Sequence, residues 1–434
     1  MAKKCELFPL VNKKTNDESI KEAEDEKSSN KSTSFNYINS ILGSGIICMP
    51  YAIKNAGLAL GLPMLVIISL ISNSTLKLVI HNGELAGSAS YQGVMEKCFG
   101  RTGFIITSII QLLYPFFTIV SYQVAVGDTL TNLFSALLGE DSDQSFVVIH
   151  DRQFLIAATS LTIVLPLALL RNVSRLSKVS LFSSSSIIVL IISVIMRYPT
   201  YSTSQEMVSQ EEVSLAGVIK AACLIVSSYT CHHNSLILYH SMKDKTESNW
   251  SMVTNYTTAT VFTAFLIFGI GGFLTFRDNT QGNILENYCD NDTLINIARI
   301  VYTITILLSS PIECFVAREV IFNMFCSDQI SVSLFPHIII TILIIFSSTI
   351  LSMFINCLGT VMAINGLYIS IPLSCILPPL CYLILNKSTS TLCSSLAPLA
   401  QIITGSLLLV LGTIFLIEQP ISSCTHSVSQ SFCK

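Results

Sequence analysis

The sequence predicts an all-α polytopic membrane protein of eleven transmembrane helices, with the first and sixth broken part-way across. Three observations carry this. Of 434 residues, 51% are apolar and only 12% are charged, against about 25% charged residues in an average soluble domain. Apolar runs of about 20 residues, the length that crosses a hydrocarbon layer about 30 Å thick, recur along the chain. Two of these runs carry clusters of polar or helix-breaking residues where an ordinary span would be most uniform.

Long apolar windows fall at 36–57, 60–81, 104–134, 153–170, 176–196, 216–240, 253–276, 294–316, 334–355, 359–385 and 395–417. Several hold a proline, among them Pro115, Pro166, Pro311, Pro372, Pro378 and Pro379. Lipid tolerates proline there only where neighbouring helices or water satisfy the freed backbone groups, so these helices belong in a bundle with an interior. The span-bearing domain covers 35–417, preceded by a polar, mixed-charge tail at 1–34 and followed by a short tail at 418–434. The first tail has the composition of a disordered cytoplasmic segment and lacks the pattern of a cleavable signal peptide.

Cytoplasmic connections are richer in Lys and Arg. With the N-terminus inside, Lys97, Arg101, Arg171, Arg175, Lys178, Lys243, Lys245, Arg318 and Lys387 fall in the cytoplasm, and Arg152, Arg197, Arg277 and Lys434 on the other side. The C-terminus is then outside. Net charge is −3 and the basic residues are scattered, which gives no reason to propose nucleic acid as a partner.

Among the fourteen cysteines, Cys48, Cys98, Cys223, Cys231, Cys314, Cys357, Cys375 and Cys381 lie in or beside apolar runs and are expected to act as small hydrophobes. With no C-x-x-C pair, a structural zinc site has little support. Cys289, Cys424 and Cys433 face the oxidising exterior, where two of them can pair in any of the three combinations. Of the glycosylation sequons, Asn291 in N-D-T is the candidate that faces outward.

Span one reads NYINSILGSGIICMPYAI, with Gly43, Ser44 and Gly45 at its middle and Pro50 beyond. In a helix interior glycine costs about 1 kcal/mol relative to alanine and proline about 3. The cluster predicts an unwound stretch, although close packing through small residues would use the same string. Span six reads VIKAACLIVSSYTCHHNSLILYHSM, with a polar run from Ser227 to Asn234 inside an apolar stretch. Polar groups in a span face a cavity or the bundle interior. Irregularities in spans one and six fit two five-helix units of opposite orientation, an inverted repeat with a binding site between them. His232 and His233 are read as capping a half-helix or bonding backbone carbonyls rather than as metal ligands, since adjacent residues point to different helix faces.

The GSGI segment followed by PYAI and KNAG, the CHHN run, QGNILENYCDND and SPIECFVAREVIFN resemble the sodium-coupled neutral amino acid transporter family, within the amino acid/auxin permease group. The resemblance runs from about Phe35 to the end of the spans. It implies a leucine-transporter-like fold with a 5+5 inverted repeat. Carried onto this chain, it sets a substrate carboxylate against N–H groups at Gly43, Ser44, Gly45 and Ile46, and a substrate ammonium near Ser228, Tyr229 and Cys231. It sets sodium at Asn39 and Ser309, where Ser309 replaces a more usual threonine. At 1.5 Å per residue, Asn39 lies about 6 Å into span one and Ser309 about 22 Å into span eight, which puts both in the cytoplasmic half of the layer.

The function implied is secondary active transport of a neutral L-amino acid, with sodium as co-substrate and no cofactor. A plasma-membrane site is favoured over a lysosomal one. The competing readings are a proton-coupled or facilitative carrier using Glu313 or His232, and an amino acid sensor without net transport. No Walker motif and no nucleophile–base pair at one membrane level supports an ATPase or an enzyme. Glu313 and Arg318 are expected to form a structural ion pair, and Lys54, Lys77, Lys220 and Arg299 to reach from span ends to the interface.

Overall fold

Ser29 starts the first helix: its side chain accepts from the Ser32 N–H, leaving the chain free to coil at Asn30. The computed structural model describes residues 28–138, 151–170, 179–202, 213–325, 334–387 and 392–418. The described residues are helical apart from short connections and a single bridge between Ser28 and Met242.

Helix α1 (Asn30–Leu42) ends at Gly43, whose φ of −27° and ψ of −125° leave the helical region. It therefore begins six residues before the apolar window, and Asn39 sits about 13 Å from its start rather than about 6. Helix α2 (Gly45–Ala86) is two helices in one run, because Gly57 takes φ +69°. That left-handed backbone is close to glycine's preserve, so the chain reverses there between the first and second apolar windows. Helix α3 (Tyr91–Leu138) is interrupted at Gly100. Helix α4 comprises Arg152–Thr159, a π turn Ser160–Val164 and Leu165–Ala168. Helix α5 is Val179–Ser202.

The sixth window divides into α6 (Leu215–Tyr229) and α7 (His232–Ser241), with Thr230 extended and Cys231 irregular between them. Helices α8 (Glu247–Phe276) and α9 (Thr293–Phe325) flank a loop with two 3-10 turns, Arg277–Asn279 and Ile284–Asn287. Helix α10 is Leu334–Phe354. Helix α11 comprises Leu358–Asn365, a π stretch Gly366–Ile376 around Pro372, and Leu377–Leu385. Helix α12 is Leu392–Glu418.

Nine helical segments among the described residues are long and apolar enough to span a bilayer, and Arg152–Ala168 is a shorter apolar one. This is an integral, multi-pass, all-helical protein. Helix α2 packs along α6 and α8, and α3 along α9, which places the two broken segments at the centre. Helix α12 lies at the periphery, with 11% of its most apolar window buried. Its outward Leu407, Val410 and Ile414 suit contact with lipid.

Two expectations about charge fail. Glu313 and Arg318 do not pair: five residues apart, they point to opposite sides of α9. Arg318 donates instead to the Ala168 carbonyl at 3.1 Å and to Thr341 Oγ1 at 2.8 Å. Arg299 does not reach the interface. It is wholly buried and donates to the Leu285 and Tyr288 carbonyls, each at 2.8 Å, and so ties the 277–292 loop to α9. Of the lysines, Lys54 meets the Thr280 carbonyl at 3.3 Å, Lys220 meets Tyr51 Oη at 2.7 Å, and Lys77 meets Asn255 Oδ1 at 2.8 Å. A third expectation also fails. Cys357 is disulfide-bonded rather than a free apolar thiol, and Cys289 is disulfide-bonded too. Cys424, Cys433, and the tails at 1–27 and 419–434 lie outside the described residues.

Candidate functional site

The gap between α1 and α2 faces the gap between α6 and α7. Ser228 Oγ lies 3.5 Å from the Gly45 carbonyl oxygen, and also donates to Leu224 O at 2.8 Å. A Cβ built on Gly45 would stand 2.7 Å from both Cβ and Oγ of Ser228 and 3.0 Å from its Cα. The two backbones meet here only because residue 45 has no side chain.

Each break exposes backbone groups with no partner inside their own helix. At the start of α2 these are the first N–H groups, from Gly45 and Ile46 onward. At the end of α6 they are the last carbonyls. Several of those carbonyls are held by side chains: Tyr114 Oη donates to Thr230 O and reaches Ser227 O at 3.5 Å, and Ser72 Oγ donates to Tyr229 O at 3.3 Å. Helix dipoles put partial positive charge at the start of α2 and partial negative charge at the end of α6. That pairing complements a zwitterion, whose carboxylate and ammonium ask for the opposite ends.

The other expected residues take these places. Gly43 abuts Tyr122, whose Oη would lie 2.5 Å from an added Cβ, and its carbonyl accepts from Tyr302 Oη at 3.4 Å. Ser44 is buried and contacts Met362 Sδ at 3.6 Å. Ile46 is fully buried in the core. Tyr229 stacks edge-on against Phe265 with ring centres 5.1 Å apart, and its hydroxyl is buried without a hydrogen-bond partner. Cys231 is a buried free thiol whose carbonyl accepts from the Asn234 N–H. The structure thus brings Gly43, Ser44 and Gly45 together with Ser228 and the turn after Tyr229.

No hydrogen bond joins Asn39 to Ser309. Asn39 Oδ1 is buried and unpartnered, one turn before Gly43, whereas Ser309 Oγ donates to Thr305 O at 2.9 Å. Their levels are nevertheless linked through Tyr302. It touches Gly43 and lies seven residues, two turns, before Ser309 on the same face of α9.

Three tyrosines that the motifs did not single out line the same region, together with His233 of the CHHN run and Glu313 of the SPIEC string. Tyr114, Tyr122 and Tyr302 close it from α3 and α9. His233 Nε2 lies 3.8 Å from Glu313 Oε2, with both side chains buried, and Tyr114 packs on the His233 ring at 4.5 Å. Neither His233 nitrogen nor that Glu313 oxygen has a hydrogen-bond partner. His232 turns away and meets Thr75 Oγ1 at 2.8 Å. The aromatic and acidic residues inside apolar windows were the signal for this group. Among the described residues no cluster of three or more His, Cys, Asp or Glu side chains could hold a metal ion.

Residues 26–418 match the family of transmembrane amino acid transporter proteins. Relatives provisionally named sodium-coupled neutral amino acid transporter 11 occur in Danio rerio and Homo sapiens. The first is 36% identical, covering 94% of this chain and 90% of the relative. The second is 34% identical, covering 88% and 92%. The vacuolar amino acid transporter 2 of Saccharomyces cerevisiae is 29% identical, covering 84% and 78%. Among solved structures, the fold is similar to that of MhsT in complex with L-phenylalanine, with a TM-score of 0.57 at 15% identity over 90% of this chain and 99% of that one. It is also similar to an Eremococcus coleocola manganese transporter, with a TM-score of 0.58 at 14% identity over 95% and 92%. At such identities these two likenesses speak to fold alone.

Proposed function

This chain belongs to the transmembrane amino acid transporter family, and on that premise we propose that it carries neutral L-amino acids across a membrane by sodium symport. The observation that supports this most is the meeting of two interrupted helices at Gly45 and Ser228. It offers N–H groups to a carboxylate at one end and carbonyls to an ammonium at the other. In this reading Gly43, Ser44, Gly45 and Ile46 receive the carboxylate, and the turn at Ser228, Tyr229 and Cys231 receives the ammonium. Eleven spans form two inverted five-helix units plus one peripheral helix, with the N-terminus in the cytoplasm, the C-terminus outside, and the plasma membrane as the site of action.

Sodium is a hard cation that takes several oxygens. Asn39 Oδ1, buried without a partner, is one such oxygen, and Ser309 Oγ is a second. Measured from the Gly43–Tyr302 contact, Asn39 lies about 6 Å and Ser309 about 10 Å toward the cytoplasmic end. Carbonyls of the last turn of α1 supply further oxygens. Uptake of a panel of radiolabelled amino acids into proteoliposomes, with sodium inside and outside varied, tests the proposal; uptake indifferent to sodium overturns the symport.

A second reading, proton-coupled or facilitative transport, draws support from the buried Glu313–His233 pair at 3.8 Å. Replacing the sodium gradient by a pH gradient in the same vesicles separates the two.

A further inference from the structure

The tip of the 277–292 loop carries a second cluster of charge, away from the helix breaks. Asp128, on α3, has a side chain only 2% exposed. One of its oxygens accepts from Arg152 Nε at 2.5 Å, and the other is buried with no hydrogen-bond partner. Arg152 spends a second nitrogen on the Ile355 carbonyl at 3.1 Å, and its Nη1 is buried and unpartnered. Glu286 is half-buried in the 3-10 turn Ile284–Asn287, which packs on α3, and it neighbours Asp128 there. With both acids ionised, two negative charges meet one guanidinium at this spot. Arg299 contributes at longer range, where it is paired with Asp290 at 3.5 Å and held by loop carbonyls, and Cys48 of α2 is a further titratable neighbour.

A lone surplus charge in such a place calls for a monovalent cation. Sodium would need about six oxygens, and these two carboxyls, one already engaged by Arg152, fall well short of that. A proton needs only two facing carboxyl oxygens. We propose that Asp128 and Glu286 share one proton while the loop is seated, and release it to the outside when the loop lifts from α3.

The placement of the loop outside rests on the orientation given under the proposed function. Burial, and then the facing Asp128 carboxyl, push Glu286 well above the ordinary carboxylate range, while Arg152 and Arg299 pull it back. The sign follows: a raised carboxyl favours the seated loop at low pH, and that contribution is lost as pH rises through the raised value.

Cys48 reports the event, because it is fully buried as a free thiol beside both acids. The full-length protein in nanodiscs is treated with a membrane-impermeant trimethylammonium thiosulfonate between pH 5.5 and 8.5. Labelling at Cys48 is read by peptide mass spectrometry and corrected for thiolate fraction with a free cysteine peptide. One linked proton makes the corrected rate rise by up to about tenfold per pH unit in the wild type, and Glu286→Gln, which carries no titrating proton, flattens it. Hydrogen exchange of peptides within 277–292 gives the same answer if the reagent does not reach Cys48: protection falls with pH in the wild type and is level in the variant. A wild-type profile without slope in both measurements, or a variant that keeps the slope, overturns the shared proton. Neither readout needs uptake, so a failed transport assay and a failed proton linkage are told apart.

Discussion

Substituting Gly45 by alanine tests the meeting of the two breaks at one atom. The new Cβ would lie 2.7 Å from the Cβ and Oγ of Ser228 and 3.0 Å from its Cα. Carbon atoms pack at about 3.5 Å or more, so α2 and α6 must part by about 0.8 Å. A serine hydroxyl can rotate away, but its Cβ and the backbone behind it cannot. Overpacking of this kind costs about 1–3 kcal/mol, which at about 1.4 kcal/mol per factor of ten weakens substrate binding by about 5- to 150-fold. Leucine at this position should abolish binding. The assay is equilibrium binding of a transported amino acid to purified protein, with thermal stability measured on the same samples. Adding Ser228→Gly removes the two nearest atoms, and the double variant should recover part of the loss, which yields a coupling energy. Wild-type affinity in Gly45→Ala, or no coupling to Ser228, would refute the contact. Gly43→Ala should be milder, since the atom it meets is the far end of the Tyr122 side chain.

Asn39→Ala and Ser309→Ala should each raise the sodium concentration for half-maximal uptake by about tenfold, the scale of one lost oxygen ligand, read from sodium titrations of initial rates; unchanged titrations in both would remove these residues from the ion site. Arg299→Met should lower stability by about 3 kcal/mol, because it leaves the Leu285 and Tyr288 carbonyls buried without donors, and thermal unfolding in detergent measures it. Glu313→Gln should keep the melting temperature within a few degrees of wild type, since an amide is less costly to bury than a carboxylate whose nearest ionisable partner is a histidine 3.8 Å away; a large fall would mean that the charge itself holds α9 to α7. Non-reducing peptide mapping should find both Cys289 and Cys357 in disulfides.

The apolar windows located most helices, because lipid imposes one requirement on every span and composition answers it directly. Their ends were less legible. Helix α1 starts at Asn30 because of a serine cap that hydropathy ignores, and α3 runs back to Tyr91 through a polar turn. Both breaks could be read from local chemistry: a glycine pair around Ser44, and a polar run after Ser227. What could not be read was which distant side chains face them. Tyr122 and Tyr302 come to Gly43 from α3 and α9, and no pattern within either helix announces that. Charge partners failed for the same reason. Glu313 has Arg318 near it in sequence but His233 near it in space, and Arg299 has a loop to hold rather than an interface to reach.

The N-terminal side of α1 is stitched to the end of α7. Ser28 exchanges backbone hydrogen bonds with Ser241 and Lys243, Tyr37 Oη and Ser235 Oγ are 2.7 Å apart, and Asn234 Nδ2 lies 3.5 Å from Ser40 Oγ. Fastened at both levels, the two half-helices form a single lever. A tug on the segment ahead of Ser28 reaches α7 as directly as α1, so anything that grips the polar tail acts on both jaws of the bundle at once.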